Sequence, residues 1–236
     1  MEEYLINYAK KIHINLTGTK CKQLIRYYEL LIEWNNKMNL TSITEFEEVV
    51  VKHFIDSLSI VNCIDLNGNL SLVDVGTGAG FPGIPLKIVF PSLNVTLVDS
   101  LDKRIKFLNY VISELELDNI VAVHARAEEF GNSKYRESFD ICVTRAVANL
   151  AVIAEYCLPL VKLDGSFIAY KGSNVKEEIY DSEIAIEELG GSIDDVSMFQ
   201  LPDTDIDRSL IRIYKEDYTP KKYPRRNGVP LKKPIK

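Results

Sequence analysis

Cysteine is scarce in this chain of 236 residues, and Cys21, Cys63, Cys142 and Cys157 are scattered with no CxxC pair. That scarcity argues against a disulfide framework and a zinc site, and leaves them as small buried apolar groups. Histidine is scarcer still. His13 and His124 have no carboxylate or cysteine beside them, and His53 suits a structural hydrogen bond better than catalysis. No stretch reaches the roughly 18 apolar residues that a membrane helix needs. The first residues, MEEYLINYAKKIHINL, lack the basic start, apolar core and cleavage site of a secretory signal. A soluble, cytoplasmic, metal-free monomer is the expectation.

Acids are missing from one region only. The chain carries a net charge of −6, yet Thr219–Lys236 holds seven basic residues and no acid. Without that segment 21 basic residues face 34 acidic ones, a net of −13. An acidic body with a concentrated basic tail points to a local polyanion contact, or to a frayed terminus.

With 46% hydrophobic and 26% charged residues the chain can bury a sizeable core. Its first 65 residues read as helical. Leu24, Tyr27, Tyr28, Leu31 and Trp34 recur at helical spacing, and a second helix is expected from Thr44, where Thr44-x-x-Glu47 forms a capping-box pattern. From Leu70 onward strands and helices alternate. Strands are expected at 70–75, 95–99, 120–124, 140–144 and 166–170, with helices at 82–90, 100–116, 150–160 and 175–189 between and after them. The last two strands, about 193–201 and 210–215, read as a hairpin. The fold class is therefore α/β: a doubly wound, mostly parallel sheet with a helical N-terminal cap.

The most informative stretch is Leu72–Leu86, LVDVGTGAGFPGIPL. Gly76, Gly78 and Gly80 let the backbone turn tightly off a strand and lie against a ligand at a helix N-terminus. Gly78-x-Gly80-x-x-Gly83 formally matches a dinucleotide fingerprint, and Asp99 lies 19 residues past Gly80, where a ribose-binding acid belongs. Three details favour S-adenosylmethionine. Asp74, two residues before the first glycine, offers the methionine ammonium a partner, directly or through water. Phe81-Pro82 stand where a diphosphate needs close backbone approach. No second mononucleotide half follows. Ala127-Glu128, after the third strand, are placed to border an adenine.

For the acceptor, Thr144-Arg145-Ala146-Val147 replaces the Asn/Asp-Pro-Pro-aromatic loop of exocyclic-amine methyltransferases, and Cys142 lacks the preceding proline of a cytosine-C5 nucleophile. A target that is already nucleophilic, such as a purine N7, fits the absence of a general base. Arg145 and Lys171, at strand ends, with Lys103, Arg104 and Arg126, are candidates for a basic rim that positions RNA phosphates. Arg225 and Arg226 add tail candidates.

Several motifs together resemble one family. They are Trp34-Asn35-x-x-x-Asn39-Leu40-Thr41, His53-Phe-Ile-Asp56-Ser57-Leu58, the glycine loop, Asp99-Ser100-x-x-Lys103-Arg104-x-x-Phe107-Leu108, Arg145-Ala146 and Pro224-Arg-Arg-x-Gly228-x-Pro230-x-Lys-Lys-Pro234. Over nearly the whole chain they are similar to the RsmG family of bacterial small-subunit rRNA methyltransferases, also called glucose-inhibited division protein B. The resemblance implies a Rossmann-like class I methyltransferase fold spanning residues 66–218, between a cap at 1–65 and a basic tail at 219–236. It implies methyl transfer from S-adenosylmethionine to N7 of a guanine in the 530 loop of 16S rRNA, position 527 in rRNA numbering. The substrate would be 16S rRNA or the small ribosomal subunit. Cofactor positions carry over to Gly76, Phe81, Ala127, Glu128 and Arg145, so that Arg145 is implied to reach the cofactor as well as RNA. The rival readings are an NAD(P)-dependent oxidoreductase and a non-catalytic ribosome-assembly protein.

Overall fold

The computed structural model describes residues 1–145 and 148–236. Ala146 and Val147, which belong to the segment read above in place of a Pro-Pro loop, lie outside the described residues.

Apolar strand sequences without strict alternation must be covered on both faces, and here they are. A seven-stranded sheet has the order β3-β2-β1-β4-β5-β7-β6. Its strands are β1 (Ser71–Val75), β2 (Asn94–Asp99), β3 (Ile120–His124), β4 (Phe139–Thr144), β5 (Val161–Lys171), β6 (Gly191–Gln200) and β7 (Asp207–Lys215). The first five run parallel, and β7 enters antiparallel between β5 and β6. Strand order reverses at β1, between β2 and β4, which opens a crevice at the carboxyl ends of the strands where such folds bind ligands.

One face of the sheet is covered by the N-terminal helices α1 (Glu2–Lys11) and α2 (Gly18–Met38) and by the helical run 46–62, which comprises α3 (Phe46–Val49), a π-helical segment Val50–Ile55, α4 (Asp56–Leu58) and a 3-10 turn. The same face carries α5 (Gly83–Val89) and α6 (Asp102–Glu114). Leu24, Tyr27 and Leu31 of α2 pack with Phe54, Leu72, Ile84, Leu97 and Phe107 in one cluster, so the cap shares its core with the sheet. The other face packs Val73, Val75, Cys142 and Phe167 against α8 (Leu150–Cys157) and α10 (Glu183–Glu188). Two short helices, α7 (Ala127–Gly131) and α9 (Lys176–Tyr180), precede these two respectively, and α11 (Val229–Lys232) lies in the C-terminal segment.

Four details differ from the sequence expectation. The second cap helix starts at Phe46 with Glu45 as its cap residue and no side-chain cap bond. The Thr44 carbonyl instead accepts the Tyr28 hydroxyl, and Phe46 packs edge-on against Tyr28, so apolar contact sets the start. The helix expected at 100–116 is α6, which begins at Asp102 with Leu101 as its cap residue; Asp99 Oδ1 accepts the Leu101 N–H. The expected single helix at 175–189 is broken at Asp181–Ser182 into α9 and α10. The C-terminal segment is folded onto the body: Arg136 donates to the carbonyls of Thr219, Pro220 and Tyr223, and Ile235 is buried.

Tyr27 joins the cap to the glycine loop. It is fully buried, its hydroxyl donates to the Ala79 carbonyl, and its ring lies 5.4 Å from that of Phe81. Tyr27→Phe leaves that buried carbonyl unpaired and should cost about 1–2 kcal/mol, lowering the melting temperature by roughly 2–8 °C. An unchanged thermal midpoint would show that the bond adds nothing.

Candidate methyl-donor site

The site begins where β1 ends. Gly76 and Gly78 have φ of 72° and 63°, values that L side chains rarely adopt, and a Cβ on either would point into open space. Gly83 is needed for a different reason: a Cβ there would come within 2.2 Å of Leu97 and 2.9 Å of Asp74 Oδ2. That close approach lets one carboxylate oxygen hold both ends of the loop. Asp74 Oδ2 accepts the Gly83 N–H at 2.9 Å and the Thr77 hydroxyl at 2.6 Å. Its other oxygen, Oδ1, is buried without a hydrogen-bond partner. Burial pushes the Asp74 carboxyl up to about 6, with the Thr77, Gly83 and Arg145 interactions working against that rise.

A cavity of about 260 Å³ opens at the ends of β1, β2, β3 and β4. Gly76, Asp99, Ala127 and Glu128 line it, with Tyr156, Asn227 and Leu231 closing the far side. Asp99 is buried and accepts from Gly78 N–H at 3.0 Å, Leu101 N–H at 2.9 Å and Arg104 at 3.1 Å. Burial, with the carboxylates of Glu128 and Glu155 nearby, raises the Tyr156 phenol to about 12, so it stays neutral.

A second cavity, of about 510 Å³, lies beside the first at the ends of β4 and β5 and is bordered by the cap. Asp56 is its hub. Its Oδ2 accepts Arg145 at 3.0 Å and its Oδ1 accepts Arg208 at 2.9 Å. Arg145 also donates to the Lys52 carbonyl and to His53 Nδ1, at 3.2 Å each. His53 therefore donates through Nε2 to Thr41 Oγ1, at 3.0 Å. Burial first, and the Arg145 charge second, lower the His53 imidazole to about 3. Phe81 is buried under this group: its ring stacks on His53 at 4.5 Å, and the Arg145 guanidinium sits 5.1 Å from its centroid. The Phe81 ring thus belongs to the seam between loop and cap and is not among the residues lining the first cavity, whereas the family resemblance implied a cofactor position for this residue.

The structure brings Gly76, Asp99, Ala127 and Glu128 to one cavity wall. Asp74 lies just beneath that wall, which starts one residue on at Val75; Gly80 packs into the core, where a Cβ would meet Ile84 and the Tyr27 hydroxyl. The basic candidates divide into two kinds. Arg104 is paired with Asp99, Arg145 with Asp56, Lys171 with Glu178 and Arg225 with Glu155. Lys103, Arg126 and Arg226 are exposed, and Arg126 reaches toward Asn227 at 3.4 Å. Lys171 and Arg145 share the second cavity while Arg104 and Arg126 edge the first, so the expected rim is two separate groups. Sequence reasoning missed Arg208, Glu178 and the Asn227–Leu231 wall. The His53-x-x-Asp56 spacing was the available signal for Asp56; β7 gave none for Arg208.

No helix among the described residues is long and apolar enough to cross a membrane. The antiparallel β7 stands where a dinucleotide-binding fold adds a sixth parallel strand, which removes the basis for the nicotinamide reading. Fold and site together define the class of Rossmann-like S-adenosylmethionine-dependent methyltransferases. Solved structures of the same fold include M. jannaschii TYW2 in complex with AdoMet, with a TM-score of 0.53, 15% identity and 63% of this chain and 70% of that one covered. Another is a 16S rRNA (adenine(1408)-N(1))-methyltransferase variant from Catenulisporales acidiphilia with its cosubstrate SAM, at a TM-score of 0.53, 16% identity and coverage of 66% and 94%. At the family level, residues 20–207 match the family described as rRNA small subunit methyltransferase G. The proteins named ribosomal RNA small subunit methyltransferase G of Lachnoclostridium phytofermentans and Oceanobacillus iheyensis are 54% and 51% identical. The alignments cover 96% and 99% of this chain, and 94% and 98% of theirs. The chain belongs to the rRNA small subunit methyltransferase G family (GidB).

The buried Asp74 sets a pH dependence. Its folded-state pKa of about 6 lies above the ordinary carboxyl value, so stability contributed by the protonated form is complete below about pH 4 and is lost as pH rises through 6. Asp74→Asn should therefore raise the melting temperature at pH 8 without ligand. The wild type should lose affinity for S-adenosylmethionine as pH falls through 6, and the variant should bind weakly at every pH. Calorimetric titrations at pH 5 and pH 8 check both; a pH-independent wild-type affinity counts against an ionised Asp74 in binding.

Proposed function

We propose that this protein transfers the methyl group of S-adenosylmethionine to N7 of a guanine in 16S rRNA, at position 527 of the 530 loop. The observation that carries the reading is the pairing of a donor cavity behind an intact glycine loop with a basic, cap-bordered second cavity next to it. The donor residues fit the cofactor: Glu128 and Ala127 would border the adenine, Asp99 the ribose hydroxyls, and the unpartnered Asp74 Oδ1 the methionine ammonium through water. S-Adenosylmethionine supplies an electrophilic methyl on a sulfonium sulfur.

N7 of guanine carries an in-plane lone pair and no proton, so the transfer needs no general base, and the sulfonium's positive charge passes to the base. The protein's work is alignment and exclusion of water. Asp74, Gly83 and Thr77 fix the donor loop. Arg145, held by Asp56, the Lys52 carbonyl and His53, fixes the neighbouring wall and presents charge to the second cavity, where the flipped nucleotide and its phosphates would sit. His53, with its imidazole lowered to about 3, stays neutral and serves as an acceptor for Arg145.

The direct test incubates the protein with labelled S-adenosylmethionine and 16S rRNA or small subunits from a strain lacking this activity, then maps the modified base. Label at N7 of guanine 527 is expected; label elsewhere, or none on either substrate, overturns the reading. Arg145→Lys keeps the charge but cannot reach three acceptors in a fixed fork. It should lower kcat by about 10- to 100-fold through misplacement, with the fold intact by circular dichroism. Near wild-type turnover would remove Arg145 from the alignment.

A further inference from the structure

The C-terminal segment read from sequence as a basic RNA-affinity tail has most of its specific contacts inward, and they converge on the donor cavity. Glu155 on α8 is completely buried, and Arg225 answers it in a bidentate pair, with Nη2 2.6 Å from Oε2 and Nε 2.9 Å from Oε1; the Arg225 N–H adds a third bond at 2.8 Å. Asn132 holds the Pro224 carbonyl at 2.9 Å. Beyond this anchor the chain turns at Gly228, with φ of 75°, and the Gly228 N–H donates to Glu128 Oε1 at 3.1 Å. Asn227 and Leu231 then form part of the wall of the cavity, opposite Gly76 and Asp99. Leu231 is 61% exposed, an apolar side chain at the cavity mouth that a ligand would cover.

We propose that residues 225–231 are the closing wall of the methyl-donor site, a specificity and affinity element for the adenosine end of the cofactor. This rests on the methyltransferase reading above. Glu128 is the link: it faces the cavity and accepts the tail's backbone N–H, so a group bound there and a docked tail favour one another. Coupling of this kind is reciprocal. The factor by which the docked tail tightens cofactor binding is the factor by which cofactor tightens docking. Arg225 serves this wall through its pair with Glu155, and Lys222 is paired with Glu188, which leaves Lys221, Arg226, Lys232, Lys233 and Lys236 as the other exposed basic residues of the segment.

The test uses the full chain and S-adenosylmethionine itself. Leu231→Asp alters a side chain that is mostly exposed, so folding is preserved, and should weaken binding about tenfold by calorimetry. Lys232→Ser with Lys233→Ser, away from the cavity wall, should keep the wild-type affinity. In the wild type, saturating S-adenosylmethionine should slow tryptic cleavage after Arg226 and Lys232 several-fold. The proposal is overturned if Leu231→Asp binds as tightly as wild type, or if cleavage is unaffected by the cofactor; wild-type binding in those experiments leaves the methyltransferase reading standing. If the wild type itself binds no S-adenosylmethionine, both readings fall together.

Discussion

The structure of the site depends on one buried carboxylate. Asp74 sits fully buried on β1, an unfavourable place for a charge, and is tolerated because the chain folds back to satisfy it. Oδ2 gathers the Thr77 hydroxyl and the Gly83 N–H, nine residues apart from Asp74 at the farther end. The loop between them is thereby closed, Gly76 lines the cavity, and α5 starts at Gly83. The absence of a Cβ at Gly83 is a condition of that contact, since a methyl group there would overlap Leu97. The remaining oxygen is unpartnered, and burial raises the carboxyl's pKa.

The cap is tied to this loop and borders the second cavity through Ile43, Lys52, His53 and Asp56. Tyr27 bonds the loop from α2, and Phe81 leaves the loop to stack beneath His53 and Arg145. Arg145 in turn binds Asp56, which also holds Arg208 from β7. Cap, loop, β4 and β7 therefore meet in one polar cluster whose partners are mutually satisfied. Such a cluster, with one side chain removed, leaves a charge buried without its counterion, and its geometry is correspondingly resistant to drift. That rigidity is what a reaction governed by alignment requires.

Much of this was legible in the sequence, and the parts that were not share a cause. The parallel strands announced themselves as short apolar runs alternating with helical stretches, and the hairpin as two strands with no helix between them. Asp74, Asp99 and the glycines were found because their chemistry is local: the partners lie within a few residues or at the next strand end. The Thr44-x-x-Glu47 capping pattern misled because packing of Phe46 on Tyr28 outweighed a single cap bond. Pairs distant in sequence left no trace. Arg225 meets Glu155 across 70 residues and Arg208 meets Asp56 across 152, so a basic tail looked free and an arginine on β7 looked ordinary. Charge patterning reports what a segment carries and says nothing of which buried acid awaits it.

The central claim is that Asp74 both closes the loop and carries the charge that recognises the methionine end of the cofactor. It is tested most directly by a thermodynamic cycle. Affinities for S-adenosylmethionine and for methylthioadenosine, which lacks the amino-acid moiety, are measured by calorimetry at pH 8 in the wild type and in Asp74→Asn. The account predicts that the substitution costs S-adenosylmethionine at least about tenfold more affinity than it costs methylthioadenosine, a coupling of roughly 1.4 kcal/mol. Equal losses for the two ligands would confine Asp74 to holding the loop and contradict the claim.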